Sequence, residues 1–229
     1  MPFIGNKPTA IPLTGADIQD GTIGIADLSA TGTKDSTTFL RGDNTFQAVS
    51  SDYVKLGTVN ITSVSSISID GYFSSTYKNY EFYIQDYRPV SAGYLRLRVN
   101  VSGSAQTGGA YKGSSHYSGL SSGGASFNSV NNGDGWNATS APFSHDNTTT
   151  SIYNGTHKLT LYDPLNTSFY KKWNSQGLQF NEGNGWIWNS GSGGVWTGNQ
   201  TSALSGITIL FNTGVNFASE GTITIYGIK

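Results

Sequence analysis

The sequence predicts an all-β protein with a short extended N-terminal region, residues 1–50, followed by an antiparallel, jelly-roll-like β-sandwich, residues 51–229. Apolar and polar residues alternate in several short runs, as they do in strands. No window of about 12 residues shows apolar residues at helical spacing. The 30 glycines, together with Asn and Pro, separate the runs as turns do. Aromatic residues make up 13% of the chain, which favours a folded core over disorder.

Residues 1–50 differ from the rest because their only aromatic residues are Phe3, Phe39 and Phe46. The sequence Ala-Asp-Ile at 16–18 recurs as Ala-Asp-Leu at 26–28, which makes a weak repeat. A thin line of Ile and Leu cannot bury itself. Other copies of the chain in an oligomer are its natural partners.

Strands are predicted where β-branched, aromatic and other apolar residues alternate with polar ones. In YLRLRVNV, residues 94–101, alternate residues face opposite ways: Leu95, Leu97, Val99 and Val101 on one face, and Arg96, Arg98 and Asn100 on the other. This pattern is typical of a strand with one face in the core and one in water. The same reasoning predicts strands at 54–62, 64–70, 80–86, 157–163, 206–212 and 221–228.

Two long segments lack this alternation. Residues 102–150 are dominated by Ser, Gly and Asn, and residues 174–205 combine the same residue types with three tryptophans. Structureless loops of this length are rare in a compact domain unless they are functional. We expect irregular strands joined by exposed loops in both segments.

Charge and composition argue against several classes of function. The formal net charge is −1 and the basic residues are scattered, so we expect neither nucleic-acid binding nor membrane insertion. There is no cysteine, which excludes disulfides and thiolate metal sites. His116, His145 and His157 have no metal-binding spacing, so we expect no metal and no cofactor.

We do not expect an enzyme, although one catalytic alternative stays open. The run GSSHYSG at 113–119 lacks the glycine spacing of a nucleophile elbow. A glycan depolymerase would need a pair of carboxylates. The acidic residues in or beside the long loops are Asp134, Asp146, Asp163 and Glu182. Acidic residues at such positions are equally typical of turns.

The tryptophans are the candidate binding residues. Trp186 and Trp188 flank Ile187 and so share one face of a strand, Trp196 follows a Gly-rich link, and Trp136 has entirely polar neighbours. Flat rings beside amide side chains suit a sugar, which offers C–H faces for stacking and hydroxyls for hydrogen bonds. The alternative is that these rings pack in the core or at a subunit interface.

Three stretches resemble bacteriophage tail fibres, particularly those of cyanophages. STTFLRGDNTFQ, residues 36–47, is similar to a fibre segment close to STTFLRGDGTW, with Asn44 and Phe46 in place of Gly and Trp. The N-terminal FIGNKPTAIPLTGADIQDGTI resembles the opening of such fibres, and GTITIYGIK, residues 221–229, resembles their closing strand. The central 150 or so residues carry no such resemblance.

The resemblance implies a homotrimeric virion protein that is assembled in the bacterial cytoplasm. Residues 1–50 would attach to phage tail or baseplate proteins and form a short shaft or neck. The C-terminal β-sandwich head would bind polysaccharide on the host cell surface. A structural connector fibre or baseplate component without receptor binding is the alternative, and a depolymerase is the less favoured one.

Arg41-Gly42-Asp43 matches a tripeptide known from cell-adhesion ligands. Its place near the predicted boundary between shaft and head favours a structural interpretation. We expect Arg41 and Asp43 to bracket a turn at Gly42 and to pair within or between chains.

Overall fold

The structure is a computed structural model that describes residues 21, 23–121, 124–130, 140–142, 144, 154–181 and 186–229. The chain divides into two compact units, Met1–Ser51 and Asp52–Lys229, called here the N-terminal unit and the sandwich unit. This division lies one residue from the predicted boundary.

The described part of the N-terminal unit has little core of its own. Its described elements are a short 3₁₀ helix at Ile25–Asp27 and a hairpin of β1 (Thr38–Leu40) and β2 (Phe46–Ala48). Ala30 is the buried hydrophobic residue among its described residues. The larger apolar side chains that lie exposed are Ile23, Phe39, Leu40 and Val49.

The Arg41-Gly42-Asp43 sequence lies in the turn of this hairpin. The Asn44 N–H donates to the Arg41 carbonyl at 3.0 Å, and Asn44 has a φ of 60°. The guanidinium Nη2 of Arg41 lies 3.4 Å from the Asp43 carboxylate, which also accepts the Thr45 hydroxyl at 2.6 Å. The tripeptide is therefore a turn whose two charged side chains pair within one chain, in agreement with the structural interpretation.

The sandwich unit is built of antiparallel strands. In chain order they are β3 (Tyr53–Asn60), β4 (Ser66–Asp70), β5 (Asn79–Tyr87), β6 (Leu95–Val101), β7 (Ser104–Ala105), β8 (Tyr111–Ser121), β9 (Gly124–Val130), β10 (Ala141–Pro142), β11 (Gly155–Tyr162), β12 (Lys171–Asn181), β13 (Trp186–Trp196), β14 (Gly206–Phe211) and β15 (Thr222–Ile228). The predicted all-β sandwich is confirmed.

The strands form two sheets with jelly-roll order. One sheet runs β3-β15-β5-β11-β12-β13-β8-β9, and the other runs β10-β6-β14-β4, with β7 beside β6. If β7, β8, β9, β12 and β13 are set aside, the remaining eight strands pair in the orders 1-8-3-6 and 5-4-7-2. Successive strands then alternate between the sheets except for the fourth and fifth, β6 and β10, which pair within one sheet, and this is the arrangement of a jelly roll.

Two inserted hairpins, β8–β9 and β12–β13, extend the larger sheet beyond β11. They lie within the two segments that we expected to hold irregular strands, and β8, β12 and β13 are each 11 residues long. The expected irregularity is wrong for these strands. Ser, Gly and Asn have low intrinsic β propensity, but a neighbouring strand that offers a complete hydrogen-bonding edge overrides that preference.

The core lies between the sheets. Leu95, Leu97 and Val99 of β6 are fully buried, as their alternation predicted. The prediction that Arg96 and Asn100 face water is wrong, because both are also buried. Asn100 donates to an Asp70 carboxylate oxygen at 2.8 Å, and Arg96 donates to the Ser140 carbonyl at 2.6 Å. Protein groups in place of water thus accept hydrogen bonds from the Asn100 amide and from the Arg96 Nη2 atom.

Candidate functional site

Two of the four tryptophans predicted to bind carbohydrate, Trp188 and Trp196, are buried in the sandwich unit. Trp196 is 3% exposed and belongs to the main hydrophobic cluster. Trp188 is 5% exposed, with its ring 4.3 Å from that of Tyr117 in an edge-on contact. Trp186 is the first residue of β13, and Trp136 lies outside the described residues. Core packing is therefore the favoured alternative for Trp188 and Trp196, while carbohydrate binding by these tryptophans stays a prediction.

A buried polar chain crosses the inner face of the larger sheet. The Tyr87 hydroxyl lies 3.0 Å from Nδ1 of His157, and Nε2 of His157 lies 2.9 Å from the Ser190 hydroxyl. Burial lowers the pKa of His157 to about 3, so its ring is neutral at pH 7. A serine beside a histidine is also the start of a nucleophile–base pair. Because His157 and Ser190 are both buried, we interpret these hydrogen bonds as a structural link between β5, β11 and β13 and not as a catalytic pair.

A hydrogen-bonded cluster around the Glu81 carboxylate lies on the outer face of β3, β5, β11 and β15. Glu81 accepts hydrogen bonds from the Tyr53 hydroxyl at 2.9 Å and from the Lys158 ammonium at 3.2 Å. Burial would raise the pKa of Glu81, but these donors hold it below its usual value. The Tyr53 ring stacks on that of Tyr226 with centroids 4.6 Å apart. Because protein donors already hold this carboxylate, it is a poor candidate for a general acid.

The connection between β11 and β12, residues 163–170, is firmly anchored. Asp163 pairs with the Lys78 ammonium at 2.9 Å and accepts the Asn166 amide at 3.0 Å. The Asn166 side-chain oxygen in turn accepts the backbone N–H groups of Ser168 at 2.7 Å and Phe169 at 3.0 Å. The Lys78 hydrogen bond lowers the pKa of Asp163, so its carboxylate is charged at neutral pH.

The buried Lys171 also anchors this connection. Lys171 is almost fully buried, and its ammonium donates to the backbone carbonyls of Asn166, Phe169 and Gln200, the last two at 3.3 Å. Burial lowers the pKa of Lys171. Three carbonyl partners satisfy the charged donor, and they fix the backbone of the connection against the start of β12.

Exposed aromatic rings lie on this anchored connection and at the adjoining end of β11. Tyr162, Phe169 and Tyr170 are 43%, 67% and 44% exposed, and we call them the aromatic platform. Tyr53 is the other exposed large aromatic residue in the described part of the sandwich unit. The aromatic platform was not predicted from the sequence, although the crowding of aromatics in the run LYDPLNTSFYKKW was a visible signal.

An open pocket of about 440 Å³ lies beside the connection. Its volume is within the range of small-ligand sites. Asp163 and Asn166 contribute to it, so the residues that anchor the connection also form part of its wall. The lining residues are Ser75, Thr76, Tyr77, Lys78, Asp163, Leu165, Asn166 and Lys229.

The outer face of β12 continues from the aromatic platform. Lys172 is paired in register with Tyr162 of β11, and Lys172, Asn174 and Gln176 project outward and are exposed. Within the described residues, none of the three side chains makes a hydrogen bond or ion pair. We call these three residues the outer row of β12.

Neither a metal centre nor a membrane-spanning helix is found in the described part of the chain. No group of three or more His, Asp or Glu residues there has the geometry to hold a metal ion. No helix among the described residues is long and apolar enough to cross a bilayer.

Comparison with known proteins identifies no relative. No family model, no curated protein and no solved structure matches the chain. Function is therefore inferred from the geometry of the sandwich unit and from the resemblance carried by residues 36–47 and the two ends of the chain.

Proposed function

We propose that the chain is a bacteriophage tail fibre protein whose sandwich unit binds polysaccharide on the host cell surface. The observation that carries receptor binding is the aromatic platform, because large rings lie exposed on a connection that is held rigid. The resemblance of the N-terminal segments to tail fibres supports the assignment of the chain to a phage tail. Residues 1–50 then attach the fibre to tail or baseplate proteins.

The aromatic platform has the chemistry that sugars require. A pyranose ring offers C–H faces that pack on aromatic rings, and its hydroxyls bond to amides and ammonium groups. Phe169 and Tyr170 supply rings, and Lys172 and Asn174 supply polar groups on the strand that follows. Anchoring by Lys171 reduces the entropy that binding would otherwise cost.

A homotrimer is part of this proposal. The N-terminal unit exposes Ile23, Phe39, Leu40 and Val49, which neighbouring copies of the same unit would cover. Three tethered sandwich units raise the avidity of a weak sugar site by roughly 10² to 10⁴. Light scattering is expected to give about 73 kDa, three times the 24.4 kDa of one chain. A measured mass equal to that of one chain would contradict the proposal of a trimeric fibre.

The proposed function is tested with fluorescently labelled full-length protein on a panel of bacterial strains. We expect adhesion to particular strains, and competition by purified polysaccharide from those strains. Protein that ignores all cells but binds tail or baseplate proteins is a connector, and that outcome contradicts receptor binding. Release of reducing ends from the bound polysaccharide would instead indicate a depolymerase.

A further inference from the structure

The outer row of β12 is a set of polar side chains without protein partners. Lys172, Asn174 and Gln176 occupy alternate positions of a central strand, so neighbouring members are about 7 Å apart on the same face. All three are exposed, and none forms a hydrogen bond or ion pair with another described residue. An ammonium group and two amides are thus available to a ligand in one line.

A shallow trough runs beside this row. In register with Asn174 and Gln176, the neighbouring strand β13 carries Gly193 and Gly191. Because Gly193 has no side chain, the Asn174 amide borders open sheet surface. A Cβ at Gly193 would lie 3.7 Å from the Asn174 amide nitrogen, and the His116 ring of β8 lies over Gly191. The open surface at Gly193 therefore lies next to Asn174, whereas the His116 ring fills the corresponding space next to Gln176.

The charge of this face favours an anionic ligand. The outward positions of β11, β12, β13 and β8 include Lys112, Lys158 and Lys172, and they include no Asp or Glu. The carboxylate on the adjoining strand, Glu81, is paired with Lys158. Lys158 is thus neutralised by Glu81, whereas Lys172 has no ion pair in the described part of the chain, and its positive charge is complementary to a carboxylated sugar.

We propose that the outer row of β12 binds an acidic saccharide of the uronic-acid type. A sugar carboxylate pairs with Lys172, vicinal hydroxyls bond to the amides of Asn174 and Gln176, and the C–H face of a ring packs on Tyr162. This inference rests on the proposed function, since it names the chemical class of the polysaccharide that the sandwich unit recognises.

The test uses polysaccharide from a strain to which the full-length protein adheres, in its native form and after chemical reduction of its uronic acid carboxyls to alcohols. Loss of a charge-assisted hydrogen bond in Lys172→Gln is expected to weaken binding to the native polymer about tenfold or more. Lys55→Gln is the matched control, because Lys55 is an exposed lysine on β3, four strands from β12 in the same sheet. The combined Asn174→Ala and Gln176→Ala variant is expected to bind more weakly as well.

The outcomes separate this inference from the proposed function. Three results together support the acidic-saccharide site. Wild type binds the reduced polymer more weakly than the native one, Lys172→Gln binds the native polymer more weakly than wild type, and Lys55→Gln binds it as well as wild type. Equal binding of native and reduced polymer, or unchanged binding by Lys172→Gln, overturns this site while adhesion itself stands. Adhesion to no strain at all contradicts both the proposed function and the site.

Discussion

Lowering the pH from 7 to 4.5 is expected to destabilise the sandwich unit through His157. In the unfolded chain its pKa takes the ordinary value of about 6.5, whereas burial lowers the pKa to about 3 in the folded protein. The unfolded state therefore takes up a proton first as the pH falls. The stability that neutral His157 contributes is fully present above about pH 6.5, and it is lost progressively down to about pH 3.

The size of this effect follows from the two pKa values. Each pH unit within that window costs about 1.4 kcal/mol, so moving from pH 7 to 4.5 removes about 3 kcal/mol from the free energy of unfolding. For a unit of this size, the melting temperature falls by about 6 to 12 °C. Titration of other groups adds to the measured change, so a variant that lacks only this group is needed.

The variant His157→Gln isolates the contribution. Glutamine does not titrate, and it retains a donor and an acceptor for Tyr87 and Ser190. Urea unfolding of both proteins at pH 7 and pH 4.5 measures the two losses. His116 and His145 are present in both proteins, so their effects cancel. Wild type is expected to lose about 3 kcal/mol more than the variant, and equal losses would refute the assignment of His157 as a buried neutral residue.

Two further substitutions test packing around the candidate site. Lys171→Met leaves three backbone carbonyls without their donor, so we expect a loss of about 2 to 4 kcal/mol in urea unfolding and faster hydrogen exchange in residues 163–170. Gly194→Ala places a Cβ 2.3 Å from the Trp173 ring, so we expect the free energy of unfolding to fall by about 1 to 3 kcal/mol. Gly193→Ala is the control: its Cβ meets nothing closer than 3.6 Å, and the variant should melt within a few degrees of wild type.

Strands with clear alternation could be predicted from the sequence. The predicted runs at 80–86, 94–101, 157–163 and 206–212 correspond to β5, β6, β11 and β14. One face of each strand packs in the apolar core, which selects apolar residues at alternate positions. The inserted strands β8, β9, β12 and β13 could not be predicted in this way. Their Ser, Gly and Asn residues form strands because each pairs with a complete neighbouring edge, which local sequence does not reveal.

The candidate site was harder to predict than the fold. Alternation in WIWNSGSGGVW puts Trp186 and Trp188 on one face, but it does not say which face of the sheet is covered by the second sheet. The exposure of Phe169 and Tyr170 depends in the same way on the absence of a covering layer. The inward position of His157 could be predicted, because at alternate positions along the strand it lies on the same face as Leu159 and Leu161.

Host adhesion of an aromatic-platform variant tests the central claim most directly. The double variant Phe169→Ala with Tyr170→Ala removes two exposed rings without disturbing Lys171, and Val90→Ala removes an exposed apolar side chain from another loop as the control. With unchanged melting temperatures, the double variant is expected to adhere to host cells at least about tenfold more weakly than wild type. Adhesion equal to that of wild type and Val90→Ala would contradict receptor binding through the aromatic platform.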